Sequence, residues 1–99
     1  MHVGYAKFKL LLRGARTLKE KRQVVRSMKD RIFNSWKVAV SEVDLQDICQ
    51  SIVLGVAVVG SDAVTVQSLL EEITQAMRVH PQAEFVSVVK EVLKPELVA

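Results

Sequence analysis

The sequence predicts an α+β domain of the ferredoxin-like class, with strands and helices in the order β-α-β-β-α-β. Three observations lead to this prediction. Segments with two-residue alternation and segments with helical spacing follow one another in that order. The length of 99 residues suits one domain with its own core. One strand is apolar on both faces, as a central strand is. We therefore expect strands one and three at the centre of a four-stranded antiparallel sheet, two helices on one face, and the other face open.

The first strand and helix have clear sequence signals. Residues 3–12 alternate with one wholly apolar face, which is typical of a half-buried strand. Thr17 and Glu20 have capping-box spacing, so each side chain is expected to accept the backbone N–H of the other. The helix continues to about Ser35. Lys21 lies within its apolar stripe, and we expect the stem to pack at the core edge with the ammonium in water.

Turn signals separate the later elements. A short polar connection at 44–47 predicts an antiparallel hairpin, and Ser61 or Asp62 is expected to cap a second helix that ends at His80-Pro81. A KH-type arrangement is the main alternative, but the Gly-x-x-Gly loop that it needs is absent from the sequence. The remaining strands are expected at residues 37–43, 48–59 and 84–93.

Charge is distributed unevenly along the chain, whose net charge is +3. Residues 1–37 contain 11 Lys and Arg and two acidic residues, a net charge of +9. Residues 38–99 contain three Lys and Arg and nine acidic residues, a net charge of −6. This asymmetry favours a basic surface that binds nucleic acid or another anion.

The cations of the first helix form a stripe, because at 100° per residue four of them fall within about 80° of one another. Like charges at this spacing repel by roughly 0.2–0.5 kcal/mol per pair, and cations in a first turn oppose the helix dipole. A bound anion, such as RNA phosphate, would relieve both penalties. The alternative is a solvated face with Glu20 and Asp30 as partial counter-charges. The candidate anion- or nucleic-acid-binding residues are Arg13, Arg16, Lys19, Arg22, Arg26 and Lys29.

Motifs for catalysis, cofactors and metals are absent from the sequence. It contains no Gly-rich phosphate loop, zinc pattern or nucleophile elbow, and His2 and His80 have no partner at ligand spacing. A polar turn accounts for the acidic residues Glu42, Asp44 and Asp47. We therefore expect a non-enzymatic protein without cofactor or metal, in which RNA or the ribosome is the partner, or else another protein.

An acylphosphatase-like activity is a remote alternative, because those enzymes share this fold class and bind phosphate in the loop after the first strand. The loop at 12–16 has a suitable composition, but the V-Q-G-V-x-F-R pattern is missing. The one asparagine, Asn34, lies at the far end of the first helix instead of after the loop. The fold class alone supports this activity.

Other features of the sequence bear on where the protein is located in the cell and on whether it self-associates. The single cysteine, Cys49, excludes an internal disulfide, and neither a secretory signal nor an apolar run of about 18 residues is present. These features predict a cytoplasmic protein that does not enter a membrane. The open sheet face carries Tyr5 and apolar neighbours, so we expect a homodimer, whereas packed stems of Lys7 and Lys9 would favour a monomer.

Three motifs in a fixed order resemble those of the YlxP-like family, small bacterial proteins of uncharacterised function. Residues 16–22 (Arg-Thr-Leu-Lys-Glu-Lys-Arg) are similar to its S-L-K-E-K-R signature. The second motif matches Ser41-Glu42-Val43 with Gln46, Asp47 and Gln50, and the third matches residues 54–59. Cys49 stands where the family usually has an aromatic residue. The resemblance implies a ferredoxin-like fold, and the gene neighbourhood of the family implies a link to RNA and translation.

Overall fold

The computed structural model describes residues 1–95 and confirms the predicted fold class. The elements are β1 (His2–Leu11), α1 (Leu18–Trp36), β2 (Ala39–Asp44), β3 (Ser51–Gly60), α2 (Ala63–Arg78) and β4 (Glu84–Leu93). The strands form an antiparallel sheet in the order β2-β3-β1-β4. As predicted, β1 and β3 are central, and the alternating residues of β1 divide into a buried face and a more exposed face.

The core lies between the sheet and the two helices. Its fully buried members come from four elements: Phe8 and Leu10, Ile52 and Leu54, Met28 and Ile32, and Ile73 and Met77. Gly4 lets α2 approach β1 closely, since a Cβ at this position would overlap Val66 Cγ1 and lie 2.9 Å from Leu70 Cδ1. The sheet is therefore covered on one side, which leaves its opposite face open.

Side chains cap both helices at their first turns. Thr17 Oγ1 accepts the Glu20 N–H at 3.1 Å, as predicted, whereas the Glu20 carboxylate accepts the N–H of Arg16 instead of Thr17. At α2 the cap is Asp62, which accepts the Thr65 N–H at 2.8 Å and the Thr65 hydroxyl at 3.0 Å. These bonds stabilise the carboxylate and hold the pKa of Asp62 below its usual value.

Two strand boundaries differ from prediction by more than one residue. The second strand begins at Ala39 because Lys37 takes a left-handed conformation (φ 54°) and closes α1 by donating its N–H to the Phe33 carbonyl at 2.7 Å. The third strand begins at Ser51 because the chain turns at Ile48, whose N–H donates to the Leu45 carbonyl at 3.0 Å. The apolar Ile48 extended the strand pattern, but its backbone belongs to the loop.

Candidate nucleic-acid interface

The basic stripe, defined as Lys19, Arg22, Arg26 and Lys29, runs along the surface of α1. The adjoining side of the helix buries Val25, Met28 and Ile32 in the core. This anchoring turns Lys19, Arg22 and Arg26 to solvent, with Lys29 half-buried. The first three, together with Gln23, line a depression of about 530 Å³. Four cations spaced over about 15 Å of helix therefore share one accessible face.

No cation of the basic stripe is paired with an acidic residue among residues 1–95. The ion pairs there join Arg13 to Glu84, Lys21 to Glu42 and Lys90 to Glu71. Glu20 instead accepts a backbone N–H, so its carboxylate serves the helix cap. Among residues 1–95, neither Glu20 nor Asp30, the counter-charges of the solvated-face alternative, forms an ion pair with a cation of the stripe.

The two arginines upstream of α1 lie apart from the basic stripe. Arg13 Nε donates to Glu84 Oε2 on β4 at 2.6 Å, and both side chains are largely exposed, at 75% and 54%. An ion pair as exposed as this one contributes little to stability, because water screens it. Arg16 is exposed in the loop before α1. The structure thus groups four of the six predicted residues on one helix face, with Arg16 near its first turn.

Phe33 extends the basic stripe, although the sequence analysis did not single it out. It lies about 20° from both Arg22 and Arg26 on the helical wheel. Its side chain is 53% exposed, and Lys37 Nζ lies 5.2 Å from the ring centroid. The same helical spacing that aligns the cations places Phe33 among them, so the signal is present in the sequence, but charge alone does not identify it.

The prediction for Lys21 is wrong, because its ammonium is buried and makes internal bonds. The residue is 1% exposed. Nζ donates to the carbonyls of Leu45 at 2.6 Å, Ile48 at 2.7 Å and Gln46 at 3.4 Å. Glu42 Oε2 lies 2.8 Å from Nζ as an ion pair, outside hydrogen-bond geometry. Glu42 is on the helix-facing side of β2, and the loop carbonyls point inward, so together they replace water around the cation.

The first two sequence motifs meet around this buried lysine. Lys21 comes from the first motif, and Glu42 and Gln46 come from the second. Gln50 of the second motif donates its Nε2 to the Ala15 carbonyl at 3.2 Å, so it joins the β2–β3 loop to the loop before α1. Much of this motif pattern therefore maintains the fold, although the first motif also contains the exposed cations Arg16, Lys19 and Arg22.

The loop between β2 and β3 also contains Cys49 and a strained residue. Leu45 has φ 52°, a left-handed conformation that costs a non-glycine residue about 1–3 kcal/mol. Two hydrogen bonds hold Leu45 there. Its carbonyl accepts from Lys21 Nζ, and its N–H donates to Asp44 Oδ1. Cys49 is half-buried, with Sγ 3.6 Å from the Ala15 carbonyl. Its neighbours indicate a packing role.

The open face of the sheet contains an apolar groove of about 480 Å³. Gly55 and Ala57 of β3 form part of its lining, with Tyr5, Val43 and Val89 around them. The Tyr5 hydroxyl donates to Glu91 at 2.8 Å, and this bond to a carboxylate raises the pKa of Tyr5. Lys7 also lines the groove, so the face is apolar with a cation within it.

A metal site, an acylphosphatase-like site and a membrane span each require particular features within residues 1–95. No three His, Cys, Asp or Glu side chains there are grouped closely enough to hold a metal ion. Asn34 lies in the last turns of α1, whereas Gly14 precedes that helix, so the two are at opposite ends of it. Within the same residues, neither helix combines the length and apolar composition needed to cross a membrane.

Comparisons with known proteins show similarity across most of the chain. A family model described as "Protein of unknown function (DUF503)" matches residues 3–90. The "Uncharacterized protein YlxP" of Bacillus subtilis (strain 168) is 30% identical over 82 residues, which cover 83% of this chain and 89% of that protein. Among solved structures, SnoaB, a cofactor-independent oxygenase from Streptomyces nogalater, aligns with a TM-score of 0.48 and 11% identity over 98% of this chain and 95% of that one. This weak structural similarity carries no argument about activity.

Proposed function

Because this chain belongs to the DUF503 family, whose function is unknown, we propose a function from its surface chemistry: a cytoplasmic, non-enzymatic module that binds RNA, with ribosomal RNA as the expected ligand. Membership of this family agrees with the resemblance of the three sequence motifs to those of YlxP-like proteins. The RNA phosphates bind along the basic stripe, with Arg16 at its start and Arg13 available once it leaves Glu84.

The observation that carries this proposal is the set of unpaired cations on the exposed face of α1. Lys19, Arg22 and Arg26 line one depression without an acidic partner among the described residues. A helix gains no stability from such a set, because its members repel one another. A polyanion gains a contact from each of them and releases counterions on binding.

Salt dependence is the first test of RNA binding. We expect fluorescence polarisation with a labelled ribosomal RNA fragment to show that the logarithm of the binding constant falls linearly with the logarithm of the salt concentration. Four phosphate contacts to single-stranded RNA predict a slope of about −3. Complete absence of binding at low salt would overturn the proposal, and a slope near zero would show that phosphate contacts do not drive the binding.

An acidic protein is the alternative partner for the same cations. The two partners differ in their response to nuclease, because RNA-mediated capture is lost when the RNA is digested. If one protein is captured from lysate in equal amounts before and after nuclease treatment, the basic stripe binds protein. If nuclease removes the captured material, it binds RNA.

We also propose that a second copy of this chain covers the open sheet face. Exposed apolar side chains lie on β2, β1, β3 and β4, and they surround the groove described above. Strands of about ten residues at 4.8 Å spacing give this face roughly 600 Å², close to the 800 Å² per partner of a standard interface. A twofold pairing of identical faces is the commonest arrangement of homo-oligomers.

Light scattering at micromolar concentration tests the dimer. We expect a mass near twice the 11.1 kDa of one chain. Val89 is 53% exposed on the groove, so Val89→Glu is expected to restore the monomer by placing a charge in the apolar contact. Val64→Glu on α2, whose side chain is 71% exposed outside the groove, is the matched control and should remain dimeric. A wild-type mass near 11.1 kDa would exclude this association.

A further inference from the structure

The basic stripe ends at an exposed aromatic ring. Phe33 is 53% exposed, although a phenylalanine on a helix of this kind gains stability by turning inward. The buried side of α1 is already filled by Val25, Met28 and Ile32. Phe33 therefore adds little to the core, and it places an apolar surface in line with the cations.

Lys37 lies beside this ring at the end of the helix. Its left-handed backbone and the 2.7 Å bond from its N–H to the Phe33 carbonyl set where its side chain begins. Nζ then lies 5.2 Å from the ring centroid, within cation–π distance. Because the left-handed residue is a lysine instead of the glycine common at this position, a positive charge stands at the end of the stripe.

The surface next to the ring is concave. Phe33, Lys37, Lys29 and Asp30 line a depression of about 440 Å³ together with the chain that leads into β2. The two ammonium groups can approach a phosphate, and the Asp30 carboxylate can accept a hydrogen bond from the edge of a base. Ring, cations and acceptor thus match the parts of one nucleotide.

We propose that this depression, the Phe33 site, holds one unpaired RNA base stacked on the Phe33 ring, with its phosphate between Lys29 and Lys37. The inference rests on the proposed RNA-binding function and gives it a substrate class. Bases of a duplex are stacked on one another and cannot reach a ring on a helix surface, so the ligand is single-stranded RNA or an unpaired loop. The basic stripe then follows the backbone on the 5′ or 3′ side of that base.

Phe33→Ala tests the stacking contact. The probes are a labelled oligoadenylate of about ten nucleotides and an RNA duplex of equal length, both at low salt. We expect Phe33→Ala to weaken single-strand binding about tenfold, within the range for loss of one base–aromatic stack, and to leave duplex binding unchanged. The salt slope should stay the same, because no phosphate contact is lost. Phe33→Tyr should restore the affinity, and Val79→Ala, at another exposed apolar residue, should have no effect.

The possible results separate this inference from the proposal beneath it. If the wild-type protein binds oligoadenylate and Phe33→Ala binds it equally well, the Phe33 site is wrong and the RNA-binding function stands. If the wild-type protein binds neither probe, both fail. Equal losses for single strand and duplex would also overturn base stacking. Fluorescence of a 2-aminopurine placed in the oligonucleotide gives a second readout, since moving this base from its adenine neighbours onto the Phe33 ring should change its emission and Phe33→Ala should abolish the change.

Discussion

Replacing Lys21 by methionine is expected to lower the free energy of unfolding by about 3–5 kcal/mol. The change removes the cation that pairs with Glu42 and the donor for the Leu45 and Ile48 carbonyls. The Glu42 side chain is 16% exposed, so it is left largely desolvated without a counter-charge. Native domains have a total stability of about 5–15 kcal/mol, so the variant should be only marginally folded. Urea unfolding followed by circular dichroism measures the change.

Two controls assign the cause of this loss. Lys19→Met makes the same chemical change at an exposed position on the same helix and should stay within about 0.5 kcal/mol of the wild type. Lys21→Met/Glu42→Gln should recover part of the loss, because the unpaired charge is gone while the carbonyls remain without a donor. A single Lys21→Met variant as stable as Lys19→Met would contradict the role given to the buried ion pair.

Reversing two cations of the basic stripe should remove RNA binding. In Arg22→Glu/Arg26→Glu, two contacts to phosphate become repulsions on the exposed face of α1. Charged hydrogen bonds contribute about 1.5–3 kcal/mol each, so we expect affinity at low salt to fall at least 100-fold. The fold should be retained, because both side chains are exposed and neither forms an ion pair with a described carboxylate.

The matched control reverses the same number of charges elsewhere. Arg31→Glu/Lys94→Glu changes the net charge from +3 to −1, as the stripe variant does, since each reversal removes two charge units. Arg31 faces away from the stripe on α1, and Lys94 follows β4. The control should lose affinity only slightly, through its net charge. Equal losses of RNA affinity in the two variants would show that the net charge of the protein, and not the position of the stripe, governs binding.

The fold was predictable because local patterns and long-range packing agree. The alternation in β1 and the apolar character of β3 predict two central strands, and the Thr17 cap predicts the start of α1. The error at the start of the third strand occurs where one residue is controlled by a distant one. Ile48 continues an apolar run in the sequence, but its carbonyl turns toward Lys21, which is 27 residues away in the chain. Periodicity contains no information about such a contact.

The candidate site was predictable in part for a similar reason. Helical spacing is a local property, so the alignment of Lys19, Arg22, Arg26 and Lys29 could be seen in the sequence. The bond from Arg13 to Glu84, 71 residues away, depends on the pairing of β1 with β4, so it could not be seen in the sequence. The burial of Lys21 was not predicted, because a lysine in an apolar stripe usually extends to water. Its buried partners come from the β2–β3 hairpin, which is distant in the sequence.

Co-sedimentation with purified ribosomal subunits at low salt tests the central claim most directly. RNA binding through the basic stripe predicts that the wild-type protein pellets with subunits, is released as salt is raised, and stays in the supernatant after nuclease digestion. It also predicts that Arg22→Glu/Arg26→Glu fails to pellet while Arg31→Glu/Lys94→Glu still does. A wild-type protein that remains in the supernatant at every salt concentration, with intact subunits in the pellet, would contradict the claim.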